Sequence, residues 1–282
     1  MAVETNHELI LTVVKKVLSE MIEEKIVQAE GPTGIFETVD QAVENAVAAQ
    51  KRLLVLPLRH RDKIIAAMRH AALDHNERIS ALAVKESGLG RYEDKLRENI
   101  LCATKTPGTE DIEPRAYSGD DGLTLIEYAP RGVIGSLTPI TNPTGTVINN
   151  AISMVAAGNA VVFNPHPTAR ETSIQTIRIL HEAIVRAGGP PGLISSVPKP
   201  DITTAKQLIE HPKINMLVAT GGRPVVDVVL RSGKKAIGAG AGNPPALVDE
   251  TANIRRAAAS IIDGASINNN IFCTCEKEVI VV

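Results

Sequence analysis

Two of the three cysteines in the chain stand close together, in the segment NNNIFCTCEKEVIVV at residues 268–282. Cys273 and Cys275 are separated by one residue, and Cys102 lies far from them in the sequence. A cysteine thiolate attacks carbonyl and acyl carbons well, and the asparagine run before Cys273 could supply hydrogen-bond donors. The same pattern also fits two small buried residues at the start of a strand, so both roles stay open.

A metal site and a disulfide explain this cysteine pair less well. A zinc site needs further Cys or His ligands, and the nearest histidine in the sequence is His211. A disulfide between residues two apart would be strained, and three cysteines without a paired framework indicate thiols in a reducing cytoplasm. We therefore predict no metal site and no disulfide.

The composition excludes several classes of function. The net charge is −2, which gives no electrostatic basis for binding nucleic acid or an anionic membrane surface. There is no apolar run near the ~20 residues of a membrane span and no signal-peptide pattern. Only 2% of the residues are aromatic, so the core must consist of Ala, Val, Ile and Leu, which suits parallel strands covered by helices. The sequence predicts a soluble cytoplasmic protein.

The order of the elements predicts the fold. Residues 38–106 have helical spacing, with Gly88 and Gly90 as stop signals. From Leu123 onwards, short apolar runs alternate with helical stretches. We expect strands in segments 123–130, 132–139, 160–165, 192–197, 214–220 and 234–240, and helices at 144–157, 169–187, 202–210 and 223–232. Such strand–helix units predict a doubly wound, mostly parallel sheet of the dinucleotide-binding type.

Three predicted strands end in small or polar residues, at 136–146, 163–168 and 219–224. Ligands bind beyond the carboxyl ends of parallel strands, where the following helices offer free N–H groups. Each turn alone could be a plain connection, but their joint occurrence favours a nucleotide site. The glycine-rich stretch 236–249 has no carboxylate before Asp249. It predicts either a tight chain crossing or a close approach of the backbone to a cofactor or thioester.

Four segments together resemble a known family: residues 130–169, LVATGGRPVV, GAGAGNPPALVDETA and GASINNNIFCTCEKEVIVV. They are similar to the CoA-acylating branch of the aldehyde dehydrogenase superfamily, and within it to the acetaldehyde and propionaldehyde dehydrogenases of bacterial microcompartments. The resemblance implies the Rossmann-like sheet of the aldehyde dehydrogenase fold, followed by the start of a second α/β catalytic domain.

The resemblance also implies roles for individual residues. The family's nucleophile falls on Cys273, three residues after the pair Asn269 and Asn270, and Cys275 is then a bystander. Asn142, with the backbone N–H of Cys273, would hold the oxyanion. The implied NAD site comprises Thr138, Pro139, Ile140, Thr141, Asn164, His166, Thr220, Gly221 and Gly222.

The implied reaction oxidises a short-chain aldehyde with NAD through a thioester on Cys273, which coenzyme A then attacks. Hydrolytic relatives carry a glutamate base in the stretch that is glycine-rich here, and its absence favours CoA over water. Asn164 stands where ordinary aldehyde dehydrogenases have lysine, and NAD is the expected cofactor. Two alternatives remain: a noncatalytic nucleotide-binding or assembly module, and a phosphorylating semialdehyde dehydrogenase.

Three regions are predicted. Residues 1–28 form an amphipathic helix that resembles encapsulation peptides, which would dock on microcompartment shell or core proteins. Residues 29–249 form the dinucleotide-binding domain, and residues 250–282 begin the catalytic domain, whose remainder we expect to be absent from this chain. We also expect the full-length protein to be a homo-oligomer located inside a bacterial microcompartment.

Overall fold

A computed structural model describes residues 34–282. The predicted helix of residues 1–28 lies outside the described residues. Residues 33–282 belong to one compact unit, and the predicted domain boundary at residue 250 stays a prediction. Among residues 34–282, none of the helices combines the length and the apolar character that crossing a membrane requires.

The helical region predicted at residues 38–106 consists of four helices: α1 (Val39–Leu54), α2 (Leu58–Asp74), α3 (Asn76–Ser87) and α4 (Tyr92–Lys105). A capping box starts α1, because the Thr38 side chain accepts from the Gln41 N–H and the Gln41 side chain accepts from the Thr38 N–H. Gly88 ends α3 in the left-handed conformation, with a φ of 67°, which glycine adopts without a steric penalty.

A hairpin of β1 (Arg115–Gly119) and β2 (Gly122–Ile126) follows. The two strands pair antiparallel in a sheet of their own, and both are exposed along their whole length. The prediction that segment 123–130 opens the parallel series is therefore wrong. Only two residues separate Gly119 from Gly122, and a connection that short reverses the chain, whereas a parallel partner needs a long crossover.

The main sheet has five parallel strands: β3 (Val133–Thr138), β4 (Ala160–Pro165), β5 (Ile194–Ser196), β6 (Met216–Thr220) and β7 (Lys235–Ala239). Their spatial order is β5-β4-β3-β6-β7. The chain runs outwards from β3 in one direction and then returns to add β6 and β7 on the other side. Such a reversal of strand order opens a crevice beyond the carboxyl ends of the strands, and here it falls between β3 and β6.

Helices cover this sheet: α5 (Pro143–Ala156), α6 (Arg170–Arg186), α7 (Ile202–Glu210) and α8 (Arg223–Leu230). All four begin within one residue of the predicted positions. All residues of β3 and β4 are buried, which explains their continuous apolar runs. The core consists mainly of aliphatic side chains, for example Ile148 and Ile152 of α5 and Ile177 and Leu180 of α6. The predicted doubly wound α/β fold is confirmed.

The last elements are β8 (Pro245–Val248), α9 (Ile254–Ser266) and β9 (Glu278–Val281). β8 and β9 form a second, parallel two-stranded sheet. A short 3-10 turn at Ile267–Asn270 and an irregular segment containing Cys273 connect α9 to β9. This connection brings Cys273 beside the loops that follow β3, β6 and β7.

Candidate active site

A cavity of about 580 Å³ is lined by residues from both sides of the crevice between β3 and β6. Its wall combines the loops after β3, β4, β6 and β7 with residues of α4 and α5 and with the segment around Cys273. Stretches that are distant in the sequence therefore meet in one place.

Most of the predicted site residues line this cavity. They are Pro139, Ile140, Thr141, Asn142, His166, Thr220, Gly221, Gly222 and Cys273. Thr138 and Asn164 are buried in the sheet and do not belong to the lining. The Asn164 side chain donates to the backbone oxygen of Asp201 at 3.3 Å and accepts from the Thr204 hydroxyl at 2.7 Å. Asn164 thus ties β4 to the start of α7, and a contact of its side chain with a cofactor stays a prediction.

The three thiols differ in their surroundings. Cys273 is exposed and lines the cavity. Cys275 is only 3% exposed, contacts the backbone oxygen of Ile267, and has a pKa that burial raises. Cys102 also lines the cavity, but burial and the nearby Glu98 carboxyl raise its pKa to about 12. Because a thiolate is the reactive form, these surroundings favour Cys273 as the nucleophile.

An unusual turn precedes Cys273. Asn268, Asn269 and Asn270 all have left-handed backbone conformations, with φ of 51°, 56° and 59°. Asparagine tolerates this region better than most other residues, which explains the asparagine run. Asn270 fixes the end of the turn, since its side chain donates to the backbone oxygen of Glu276 at 3.0 Å.

Helix α4 anchors this turn through Asp94. The Asp94 carboxylate accepts from the Asn268 N–H at 2.8 Å, and the Arg91 N–H donates to the Asn268 side-chain oxygen at 2.8 Å. Burial opposes ionisation of Asp94, but the hydrogen bonds from Asn268 and Arg91 outweigh it and keep the pKa below its ordinary value. Gly90 must lack a side chain here, because a Cβ would lie 1.9 Å from the Asn268 side-chain oxygen.

The glycine-rich stretch 236–249 crosses the Cys273 segment closely. A Cβ at Gly242 would lie 2.0 Å from the backbone oxygen of Cys273. Gly240, Ala241 and Gly242 also line the cavity. The tight chain crossing is therefore confirmed, and a close approach of this backbone to a cofactor or thioester stays a prediction.

Sequence reasoning missed a buried ion pair on α4. The Lys95 nitrogen lies 3.7 Å from a Glu98 carboxyl oxygen, with side chains 0% and 10% exposed. Glu98 lines the cavity and accepts from the Asn142 side-chain nitrogen. Burial raises the Glu98 pKa to about 7 against the opposing effect of Lys95, and burial lowers the Lys95 pKa. An i,i+3 pair on a helix ordinarily indicates a solvent-exposed face, so the sequence carried no signal for this burial.

The cavity has room for an extended ligand beside the exposed Cys273 thiol. Asn142 caps α5 by accepting from the Gly145 N–H at 3.0 Å, and Gly222 precedes α8. The N-termini of both helices thus lie beside the cavity, where their free N–H groups suit phosphate oxygens. At Gly221 the direction of a Cβ is open space, which leaves room for a close ligand. These features fit a dinucleotide.

The model of the aldehyde dehydrogenase family matches residues 16–282. The chain therefore belongs to the aldehyde dehydrogenase family. Its parallel sheet and the exposed cysteine in its cavity agree with this.

The chain is 52% identical over 253 residues to "Acetaldehyde dehydrogenase (acetylating)" of Bilophila wadsworthia. The aligned region covers 89% of this chain and 52% of the length of that protein. It also matches the crystal structure of Rhodopseudomonas palustris propionaldehyde dehydrogenase with bound propionyl-CoA. That match has a TM-score of 0.85 and 50% identity over 88% of this chain and 56% of the other.

A third match is a propionaldehyde dehydrogenase from the Clostridium phytofermentans fucose utilisation bacterial microcompartment. It has a TM-score of 0.85 and 49% identity, over 88% of this chain and 57% of the other. The predicted resemblance to the CoA-acylating branch is confirmed. The chain spans about half the length of the curated relatives it matches.

Proposed function

We propose that the complete protein oxidises a short-chain aldehyde, acetaldehyde or propionaldehyde, to the acyl-CoA through a thioester on Cys273. The observation that carries the proposal is the exposed Cys273 thiol in a cavity that also contains Asn142 and the residues 220–222. The names of the relatives support it, since they are acetylating acetaldehyde and propionaldehyde dehydrogenases.

In the proposed reaction the Cys273 thiolate forms a bond to the aldehyde carbon, and the carbonyl electrons move onto the oxygen. The Asn142 side-chain amide and the Cys273 backbone N–H hold that oxygen. Residues 139–141 and 220–222 of the cavity wall would hold NAD, which would supply the hydride acceptor. Loss of a hydride from the carbon would leave a thioester on Cys273. The thiol of CoA loses its proton to the solvent and attacks the thioester carbon, and the carbon–sulfur bond to Cys273 breaks so that Cys273 leaves as the thiolate.

The cavity wall favours CoA over water as the acceptor. Hydrolysis needs a base that activates water, and Gly240, Ala241 and Gly242 provide none. Among the described lining residues, Glu98 is the one that carries a carboxyl group, and this group accepts a hydrogen bond from Asn142. A thiolate is a stronger nucleophile than unactivated water, so CoA is the expected acceptor.

The test is NADH formation, followed by absorbance. The complete gene product and the 282-residue chain are assayed with acetaldehyde or propionaldehyde, with and without CoA, and with phosphate instead of CoA. We expect CoA-dependent NADH from the complete protein, abolished by Cys273→Ala and retained by Cys275→Ala. Phosphate-dependent NADH would indicate a phosphorylating enzyme. Absence of NADH from the complete protein, despite NAD binding, would contradict the proposal and favour an assembly module.

We further propose that residues 1–28 direct the protein to a bacterial microcompartment by docking on shell or core proteins. Two observations support this. The segment has an apolar stripe at helical spacing, with Leu9, Val13, Val17 and Met21 among its members. A similar solved structure comes from a microcompartment enzyme.

The docking proposal predicts that deletion of residues 1–28 abolishes co-purification with co-expressed shells and leaves the fold intact, as measured by circular dichroism. Val14→Glu, within the apolar stripe, should weaken co-purification, because it places a charge in the docking face. Lys15→Glu, outside the stripe, serves as the control. Undiminished co-purification of the deletion variant would refute this role.

A further inference from the structure

We propose that Glu98 is a positioning residue that fixes the orientation of the Asn142 side-chain amide. This inference rests on the proposed function, in which that amide donates to the substrate oxygen. Glu98 would act through Asn142, to which it is hydrogen-bonded.

The two ends of the Asn142 amide have different partners. Its oxygen accepts from the Gly145 N–H at 3.0 Å, and its nitrogen donates to a Glu98 carboxyl oxygen. If the amide were flipped, its oxygen would face the carboxylate and its NH2 group would face the Gly145 N–H. Both contacts would be repulsive, so Glu98 and Gly145 together allow one orientation. The amide nitrogen carries a second N–H, which remains available for a ligand.

Glu98 itself is held in place by the buried Lys95. The Lys95 ammonium lies 3.7 Å from the second Glu98 carboxyl oxygen and donates to the Thr141 backbone oxygen at 2.5 Å. It also lies 4.7 Å from the centre of the Phe272 ring. Thr141 precedes Asn142 and Phe272 precedes Cys273, so the ion pair on α4 contacts the chain beside both proposed catalytic residues.

The strength of the Glu98 contact depends on charge. A carboxylate accepts more strongly than a neutral acid, and burial raises the Glu98 pKa to about 7. The contact should therefore be weaker below neutral pH. The other titratable groups near Glu98 or in the same cavity wall are Lys95 and Cys102 on α4 and, from the facing segments, Cys273, Cys275, Lys277 and His166.

The test compares Glu98→Ala and Glu98→Gln with the control Glu93→Gln, which removes the same charge from an exposed position of α4. The complete protein is assayed for kcat, for KM of the aldehyde, and for the pH dependence of kcat between 6 and 9. Alkylation of Cys273 by iodoacetamide reports whether the nucleophile is still presented.

We expect Glu98→Ala to lower kcat about tenfold, less than the ~100-fold that loss of an oxyanion donor costs, with KM and alkylation nearly unchanged. Glu98→Gln keeps an acceptor oxygen, so its kcat should be higher than that of Glu98→Ala. In the unsubstituted protein kcat should fall as the pH is lowered through about 7, and in Glu98→Gln this fall should be absent. The side-chain NH2 signals of Asn142 in nuclear magnetic resonance spectra should shift with pH around 7 in the unsubstituted protein and not in Glu98→Gln.

Three results would overturn the inference. The first is unchanged kcat in Glu98→Ala when the unsubstituted protein is active. The second is a loss of kcat that is matched by loss of Cys273 alkylation, which would indicate a general structural role. The third is an unsubstituted protein without CoA-dependent NADH formation, which would refute the proposed function together with this inference.

Discussion

At the scale of single residues, the position of the Cys273 thiol depends on a glycine, Gly242, that has no side chain. Gly242 contacts the backbone of Cys273 so closely that a Cβ would lie 2.0 Å from the Cys273 oxygen. The contact involves backbone, which cannot move aside by a change of rotamer. The position of Cys273 in the cavity therefore depends on a glycine about 30 residues earlier in the chain.

We predict that Gly242→Ala displaces the Cys273 segment. The added methyl group should lower the free energy of unfolding by about 1–3 kcal/mol, as overpacking typically does, and should change the rate of Cys273 alkylation. Thermal unfolding and iodoacetamide labelling measure the two effects. Gly240→Ala is the matched control, because Gly240 lines the same cavity and a Cβ there meets open space. Equal behaviour of the two variants would contradict this explanation.

At the scale of elements, α4 supports the site at two points. Asp94 near its start holds the left-handed asparagine turn that leads to Cys273, and Lys95 with Glu98 holds the loop that carries Asn142. A helix keeps these side chains at a fixed separation. The relative positions of the nucleophile and of the proposed oxyanion donor thus depend on one rigid element that contains neither.

We predict that Asp94→Ala destabilises the protein by about 1–3 kcal/mol at neutral pH, because the buried Asn268 N–H loses its acceptor. The lowered Asp94 pKa sets the pH dependence. The carboxylate contributes stability above its unfolded pKa, near 3.8, and loses that contribution as pH falls through its lower folded pKa. The difference between the two proteins in urea unfolding should therefore shrink in acid.

Glu93→Ala provides the control for Asp94→Ala. Glu93 is the preceding residue of α4 and is exposed, so its removal should change stability by less than about 0.5 kcal/mol. If both substitutions destabilised the protein by a similar amount, the cause would be a general effect on the helix. The hydrogen bond between Asp94 and Asn268 would then not explain the result.

At the scale of the whole molecule, the order of strands in the sheet assembles the site. The reversal at β3 places the loops after β3 and β6 side by side, and β7 adds the glycine-rich loop next to β6. The aliphatic core beneath the sheet fixes these strands. Helix α4 and the Cys273 segment close the cavity from outside the sheet.

Local patterns in the sequence were sufficient for the main elements. Strand and helix periods depend on neighbouring residues, and so the parallel strands, their covering helices and the glycine end of α3 were predicted. The family resemblance then indicated Cys273 and Asn142. The prediction for segment 123–130 was wrong because its apolar run resembles that of a buried strand. The two-residue turn before the segment instead makes it an exposed strand of a hairpin.

The sequence by itself determined the fold class, the strand ends that carry the site, and the candidate thiol. Only the tertiary structure decided that Cys275 is buried while Cys273 is exposed, that Asn164 bonds to Thr204, and that Glu98 contacts Asn142. The physical reason is that burial and hydrogen bonding of a side chain depend on segments far away in the chain. Those segments meet only when the sheet has formed.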